Sequence, residues 1–268
     1  MHRIKHVFGA LCYWTGVDAL FYRLNRGKVR TVTFHNVIPD SLCEGMKTLP
    51  VAWRASVFRW MVHEARRFLG DCLAVTFDDG YLNQYEVAPK ILSEEGISTA
   101  TVFVAGDVLN AKGRETSLAP DRLNHEGLRY SPEYERLRLS GMTLEQVEDL
   151  RSRGWKVGYH TKSHRQLASL SPEEKREELR PPAWLKDRIL SYPFGKPWDV
   201  DEASTRIAEE YGYECAYSNQ CENDGHHGLV HAAHGSDARQ ILDTPGTLGG
   251  KVFLQVRQAA AMKGVSRI

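Results

Sequence analysis

Residues 74–92 read AVTFDDGYLNQYEVAPKIL: an apolar run that stops at two adjacent aspartates and a glycine, then an amphipathic pattern. The run has the length and apolar character of a buried strand, and NQYEVAPKILSEEG carries an apolar stripe at helical spacing and ends in glycine, as helices commonly do. A strand, an acidic turn and a helix make one βα unit. Two neighbouring carboxylates at the end of a buried strand repel, so one is driven to hold its proton unless a cation or hydrogen-bond donors keep both ionised. The stretch therefore asks for a partner as well as for a fold.

The same alternation extends in both directions. RTVTFHNV (30–37), CLAVTF (72–77), TATVFV (99–104), WKVGYH (155–160), RILSYPF (188–194) and YECAYS (213–218) read as strands. VFRWMVHEARRFL, TLEQVEDLRSRG, SPEEKREELRPPAWL and DEASTRIAEEYG read as helices between them. Alternating β and α elements predict a parallel sheet, closed as a barrel or open and doubly wound. The chain of 268 residues is 42% apolar and 26% charged, without an internal repeat, linker or low-complexity tract, which predicts a single domain over 1–268. Residues 105–141 are polar and lack a clear period; an insertion of that length predicts a lid or a substrate rim.

Ile4, Val7, Leu11, Trp14, Phe21 and Leu24 follow helical spacing and predict an amphipathic helix over 3–25. Thr15, Gly16 and Asp18 interrupt it, so it reads neither as a membrane span nor as a leader. Such a helix packs on the domain or, with Arg3, Lys5, Arg23, Arg26, Lys28 and Arg30 around it, lies on an anionic membrane surface. A net charge of +1 gives no electrostatic case for nucleic acid and leaves a small neutral substrate open. Five cysteines, odd in number and outside any CxxC arrangement, argue against a disulfide scaffold and for the cytoplasm, including the inner face of its membrane.

Chemistry in α/β architectures collects at the C-terminal strand ends. There the sequence places Asp78-Asp79-Gly80, His160 with His164, Tyr192-Pro193-Phe194-Gly195, and His35 near the end of the first strand. In HTKSH (160–164), imidazoles at i and i+4 can face one side of a helical turn and share a metal, with a carboxylate as third ligand. Either Asp78 or Asp79 can supply it, leaving the other to deprotonate a water. Each motif has a plainer reading, since HxxxH among eleven histidines is a weak signal and Asp is a preferred helix N-cap. Their coincidence at strand ends is what raises the metal reading above both.

TFDDG, HTKSH and YPFG together resemble the polysaccharide deacetylases, the NodB-homology or carbohydrate esterase family 4 domain, over about residues 30–220. The resemblance implies a distorted (β/α)7 barrel and a metal-dependent hydrolase acting on an N-acetylated sugar. By it Asp78 is the base, and Asp79, His160 and His164 hold a divalent cation, zinc first, with cobalt, nickel or iron equally accommodated by such a donor set. Phe194 offers a backbone N–H to an oxyanion, Tyr192 belongs to the same motif, and Tyr81 and Trp198 flank the sugar or pack in the fold. Two features depart from the family pattern. Ser191 stands where most members carry an arginine that orients the base, and no clean late acid-histidine strand is present. His231 and His234, in LVHAAHGSD, are the late candidates. TVTFHNV resembles instead the opening tyrosine-histidine strand of the exopolysaccharide deacetylases, which makes His35 the acid. Relatives of this fold that hydrolyse formamides or cyclic amides, and a non-catalytic glycan-binding role, are the competing expectations.

Overall fold

The computed structural model describes residues 30–44, 52–113, 130–196 and 198–218, and the backbone of 230–235. The expected helix over 3–25 and residues 114–129 of the insertion lie outside the described residues. In chain order the strands are β1 (Arg30–Phe34), β2 (Asn36–Ile38), β3 (Ala52–Arg54), β4 (Leu73–Phe77), β5 (Thr101–Val104), β6 (Lys156–Tyr159), β7 (Ile189–Ser191), β8 (Cys215–Ser218) and β9 (Val230–Gly235). The α-helices among the described residues are α1 (Ala55–Leu69), α2 (Asn83–Glu86), α3 (Ala88–Glu94), α4 (Pro132–Leu139), α5 (Leu144–Ser152), α6 (Pro172–Leu179) and α7 (Glu202–Glu210). None of them is long and apolar enough to cross a membrane.

Seven parallel strands close in the order β1-β4-β5-β6-β7-β8-β9, with β9 returning to β1. The barrel expected from the family resemblance is thus present. Its seventh strand, β9, is one that alternation alone does not predict. The first expected strand is broken at His35, because Asn36–Ile38 leaves the barrel and pairs in parallel with Ala52–Arg54 as a separate two-stranded sheet. Helix 83–96 is likewise split at Val87, where Pro89 in the first turn of α3 removes a backbone donor. The insertion contains α4, capped by the Ser131 side chain, which accepts from the Tyr134 N–H. Tyr134, Leu137 and Leu139 of α4 are buried, a stripe too short to stand out as a period.

Successive strand residues face opposite sides of a sheet. Val32, Phe34, Val75, Phe77, Val102, Val104 and Val157 pack outward with Phe58, Met61 and Val62 of α1 and Leu92 of α3. The barrel interior is filled by the other set: the Thr33 and Thr76 hydroxyls meet at 2.9 Å, and Phe103 meets Tyr217 at 5.0 Å between ring centroids. Gly158 leaves the space that the Phe103 ring takes, since a Cβ there would lie 2.5 Å from it. Phe77 sits 5.9 Å from the rings of Phe34, Phe58 and Trp155, directly beneath the two aspartates. Phe77→Ala should therefore cost about 3–5 kcal/mol of unfolding free energy in denaturant titration, because a buried aromatic leaves a cavity its neighbours only partly fill.

Candidate active site

Asp78 and Asp79 leave β4 in a strained turn. Asp79 has φ 81° and Gly80 φ 88°, and the turn is tied down by the Asp78 N–H to Phe34 O (3.0 Å), Ala105 N–H to Asp79 O (3.1 Å) and Met142 N–H to Gly80 O (3.0 Å). Left-handed backbone suits glycine at position 80, where a Cβ would also lie 2.8 Å from Val104 Cγ1. An aspartate at φ 81° is sparsely populated, and such residues persist only where the surroundings over-determine them. The turn directs both carboxyl groups into the barrel mouth, each 7% exposed.

His160 follows β6 and is anchored by its N–H to Val104 O at 3.0 Å. Its Nδ1 lies 2.7 Å from Ser191 O, so that nitrogen carries the proton and Nε2 presents its lone pair. Burial, with His164 beside it, lowers its pKa to about 3 against the pull of Asp79 and the Ser191 carbonyl, which keeps the imidazole neutral. His164 does not reach the site by helical spacing. Residues 160–164 form an irregular turn in which Thr161 (φ 63°) and His164 (φ 59°) are both left-handed, and this folds the second imidazole over the first at 4.9 Å between centroids. Nε2 of His160 and Nε2 of His164 lie 3.7 and 3.6 Å from Asp79 Oδ1, and the three ligand atoms fall within 4.8 Å of one another.

The turn is held by a residue that sequence reasoning missed. Glu178 of α6, buried, accepts from the Ser163 N–H at 2.9 Å and from the Ser163 hydroxyl, while Lys162 N–H donates to Glu178 O at 3.0 Å. On the other flank Gly106 and Asp107 donate to the carbonyls of Thr161 and Lys162 at 3.0 and 2.8 Å. A glutamate in a charge-rich helix carries no mark of this role. Its only sequence signal is its place one residue before the apolar Leu179.

Burial raises the Asp78 carboxyl to about 7, and Asp79 pushes the same way; His35 and the Ser191 side chain pull it down. Burial also raises Asp79, but His35, His164, His160 and Arg138 together outweigh it and hold Asp79 below the ordinary carboxylate value. The two neighbours are thus pushed apart in acidity. Asp78 Oδ1 is buried without a hydrogen-bond partner, an acceptor open to a proton. Ser191, in the place of the family's arginine, has its side chain at Asp78 and its carbonyl at His160.

His35 is half-buried in the gap between β1 and β2, where its charge acts on both aspartates. The barrel register puts His234 beside Thr31, four residues before His35, and His231 beside Ala216. Phe194 (φ 59°) has its ring 4.8 Å from that of His164 and is 43% exposed. Trp198, 66% exposed with Lys196 Nζ 5.5 Å from its ring centroid, stands on the same loop. Tyr81 and Tyr192, in contrast, are 2% exposed and offer no open ring face to a ligand: Tyr81 packs with Ala105 and Val108 under Arg138, and Tyr192 packs in the core around Leu190 and Ile207.

A parallel barrel whose chemistry converges on its C-terminal mouth is the class defined by this fold. The chain belongs to the polysaccharide deacetylase family, whose model matches residues 66–216, more than half of its length. A curated relative, "Putative polysaccharide deacetylase YxkH" of Bacillus subtilis (strain 168), is 26% identical over 156 residues, 56% of this chain and 45% of the relative, so the chain matches less than half of that protein. Among solved structures, the Streptococcus pyogenes deacetylase PplD in complex with acetate superposes with a TM-score of 0.54 at 17% identity, covering 82% of this chain and 99% of that one. IcaB from Ammonifex degensii gives 0.54 at 18% identity, covering 86% and 98%. These likenesses show the fold.

The raised Asp78 value carries a sign that can be checked in metal-free protein. A carboxyl raised from 3.8 to about 7 contributes a stabilising proton that is fully present below 3.8 and lost as pH climbs through about 7. In chelator, Asp78→Asn should therefore gain thermal stability relative to the parent chain as pH rises from about 4 to 7.5. A difference that does not change with pH would contradict the burial of this charge.

Proposed function

We propose that this chain is a metal-dependent hydrolase that removes the N-acetyl group from an aminosugar in a glycan or glycan precursor. The observation that carries the reading is the cluster of Asp79, His160 and His164, with Asp78 adjacent and differently tuned. The donor set fits a cation. A neutral imidazole fixed at Nδ1 presents Nε2, and spacings of 3.6–3.7 Å are too long for hydrogen bonds yet close to the roughly 3.3 Å separating ligand atoms around a tetrahedral ion of the zinc type. A divalent cation held there would supply Lewis acidity toward an acyl oxygen and would favour ionisation of a water.

The remaining steps belong to the chain's own groups. Asp78 accepts a proton from the attacking water at its unpartnered Oδ1. The Phe194 N–H, on a residue with left-handed backbone beside His164, is the candidate donor to the developing oxyanion. His35 protonates the departing amine, a poor leaving group until it gains that proton. Phe194 and Trp198 form the rim on which a sugar ring would stack.

Purified protein should release acetate from at least one acetamido sugar in a substrate panel, lose that activity in chelator and regain it with zinc or cobalt. Asp78→Asn and His164→Ala should abolish turnover, and His35→Ala should lower kcat about 10²–10⁴-fold. Full activity in chelator, or in Asp78→Asn, rejects the reading; turnover of a formamide or cyclic amide alone would move it to the amidases of this fold. Glu178→Ala, which frees the turn holding His164, should weaken zinc binding about 10–100-fold in competition with a chelating dye.

A further inference from the structure

The β1–β4 ladder ends at Phe34 and Phe77, so the carbonyls of His35 and Asp78 pass beyond it. One side chain takes both. The Gln84 amide nitrogen on α2 donates to His35 O at 2.5 Å and to Asp78 O, and the residue is fully buried. Its neighbour Asn83, also fully buried, grips the next two residues: Nδ2 donates to Asn36 Oδ1 at 2.7 Å and to Leu137 O at 2.9 Å, while Oδ1 accepts from the Val37 N–H at 2.8 Å. Asn36 and Val37 lie in β2, the segment that leaves the barrel at His35. Two consecutive amides therefore hold the chain just where it turns out of the barrel wall.

The orientation of the Gln84 amide is determined by its partners. Two carbonyl oxygens only accept, so the nitrogen must face them. That leaves Gln84 Oε1 buried with no partner, which a methionine of similar volume would avoid. A methionine there would also remove the donor that the carbonyls of His35 and Asp78 share.

We infer that Gln84 is a positioning residue that fixes the candidate acid His35 against the candidate base Asp78. The inference rests on the functional reading above, in which one of those two groups takes a proton and the other delivers one. Proton delivery and proton removal then depend on a separation that the Asp78 N–H to Phe34 O bond fixes only as far as Phe34, and Gln84 spans the last step to His35.

The test is a double-mutant cycle on the full chain loaded with zinc, with a short N-acetylglucosamine oligosaccharide as the probe, measuring kcat, KM and zinc per chain. Gln84→Met should lower kcat about 10- to 100-fold at KM within about twofold and with unchanged zinc content. In the His35→Ala background the same change should cost less than about twofold, since the group it positions is already gone. Gln84→Asn keeps a buried amide but withdraws it by one methylene; it should show the same pattern and serves if the methionine variant fails to fold. Equal losses in both backgrounds, an unchanged kcat, or loss of zinc would overturn the inference while leaving the functional reading intact. A parent chain inactive on every acetamido sugar, or a fully active His35→Ala, would instead overturn that reading and the inference with it.

Discussion

Two adjacent carboxylates buried at the end of one strand are the constraint on which the mouth of this barrel is built. Water would screen them, but each is 7% exposed. In a poorly solvated site their repulsion has to be met by geometry and opposite charge. The chain meets it unequally. Asp79 is given two imidazoles, the charge of His35 and the buried Arg138; Asp78 is left with one oxygen free and a raised affinity for protons. A cation beside Asp79 would oppose the effect of burial on Asp78 and bring its raised pKa down, so the same arrangement would support a proton-holding state without metal and an ionised one with it.

That arrangement is made by backbone as much as by side chains. Asp79, Thr161, His164 and Phe194 are all left-handed without being glycine, and all four lie within the mouth. Each costs on the order of 1 kcal/mol or more, and the cost is met by hydrogen bonds between loops: β4's turn to Ala105 and Met142, and the 160–164 turn to Gly106, Asp107 and Glu178. Held this way, Asp79, His160 and His164 would need little ordering to take up an ion, which would lower the cost of binding one.

The sequence made the site legible where chemistry is concentrated in a few letters. Asp78, Asp79, His160 and His164 are apparent from DDG and HTKSH at strand ends, and six of the seven barrel strands from apolar runs. The seventh, VHAAHG, has too few large apolar residues to signal burial. The break at His35 was hidden because TFHNV reads as one continuous strand, and only the pairing of Asn36–Ile38 with Ala52–Arg54 shows that it is two. The convergence of His160 and His164 was foreseen by helical spacing but is achieved by two left-handed residues, which residue type does not signal at threonine or histidine. Tyr81 shows the converse limit: an aromatic next to the aspartates looks like a ligand platform in one dimension and is core in three. Glu178, Asn83 and Gln84 were illegible because amides and carboxylates in helices are ordinarily solvent-facing, and their meaning depends on burial.

Ser191 shows how the loss of one charged residue can be absorbed. An arginine there would bring a fixed positive charge and a rigid donor fork to the base. Ser191 brings neither, yet its carbonyl fixes His160 and its side chain lies at Asp78. The missing charge has a local source, because breaking the first strand at residue 35 places an imidazole whose field acts on both aspartates. Unlike a guanidinium, that charge can leave with a proton. A base oriented by arginine keeps its electrostatic support through the reaction, whereas here support for Asp78 would fall as His35 gives up its proton. In the proposed reaction Asp78 would then hold the proton it has gained more tightly as the amine departs, which would couple the two transfers through the field between them.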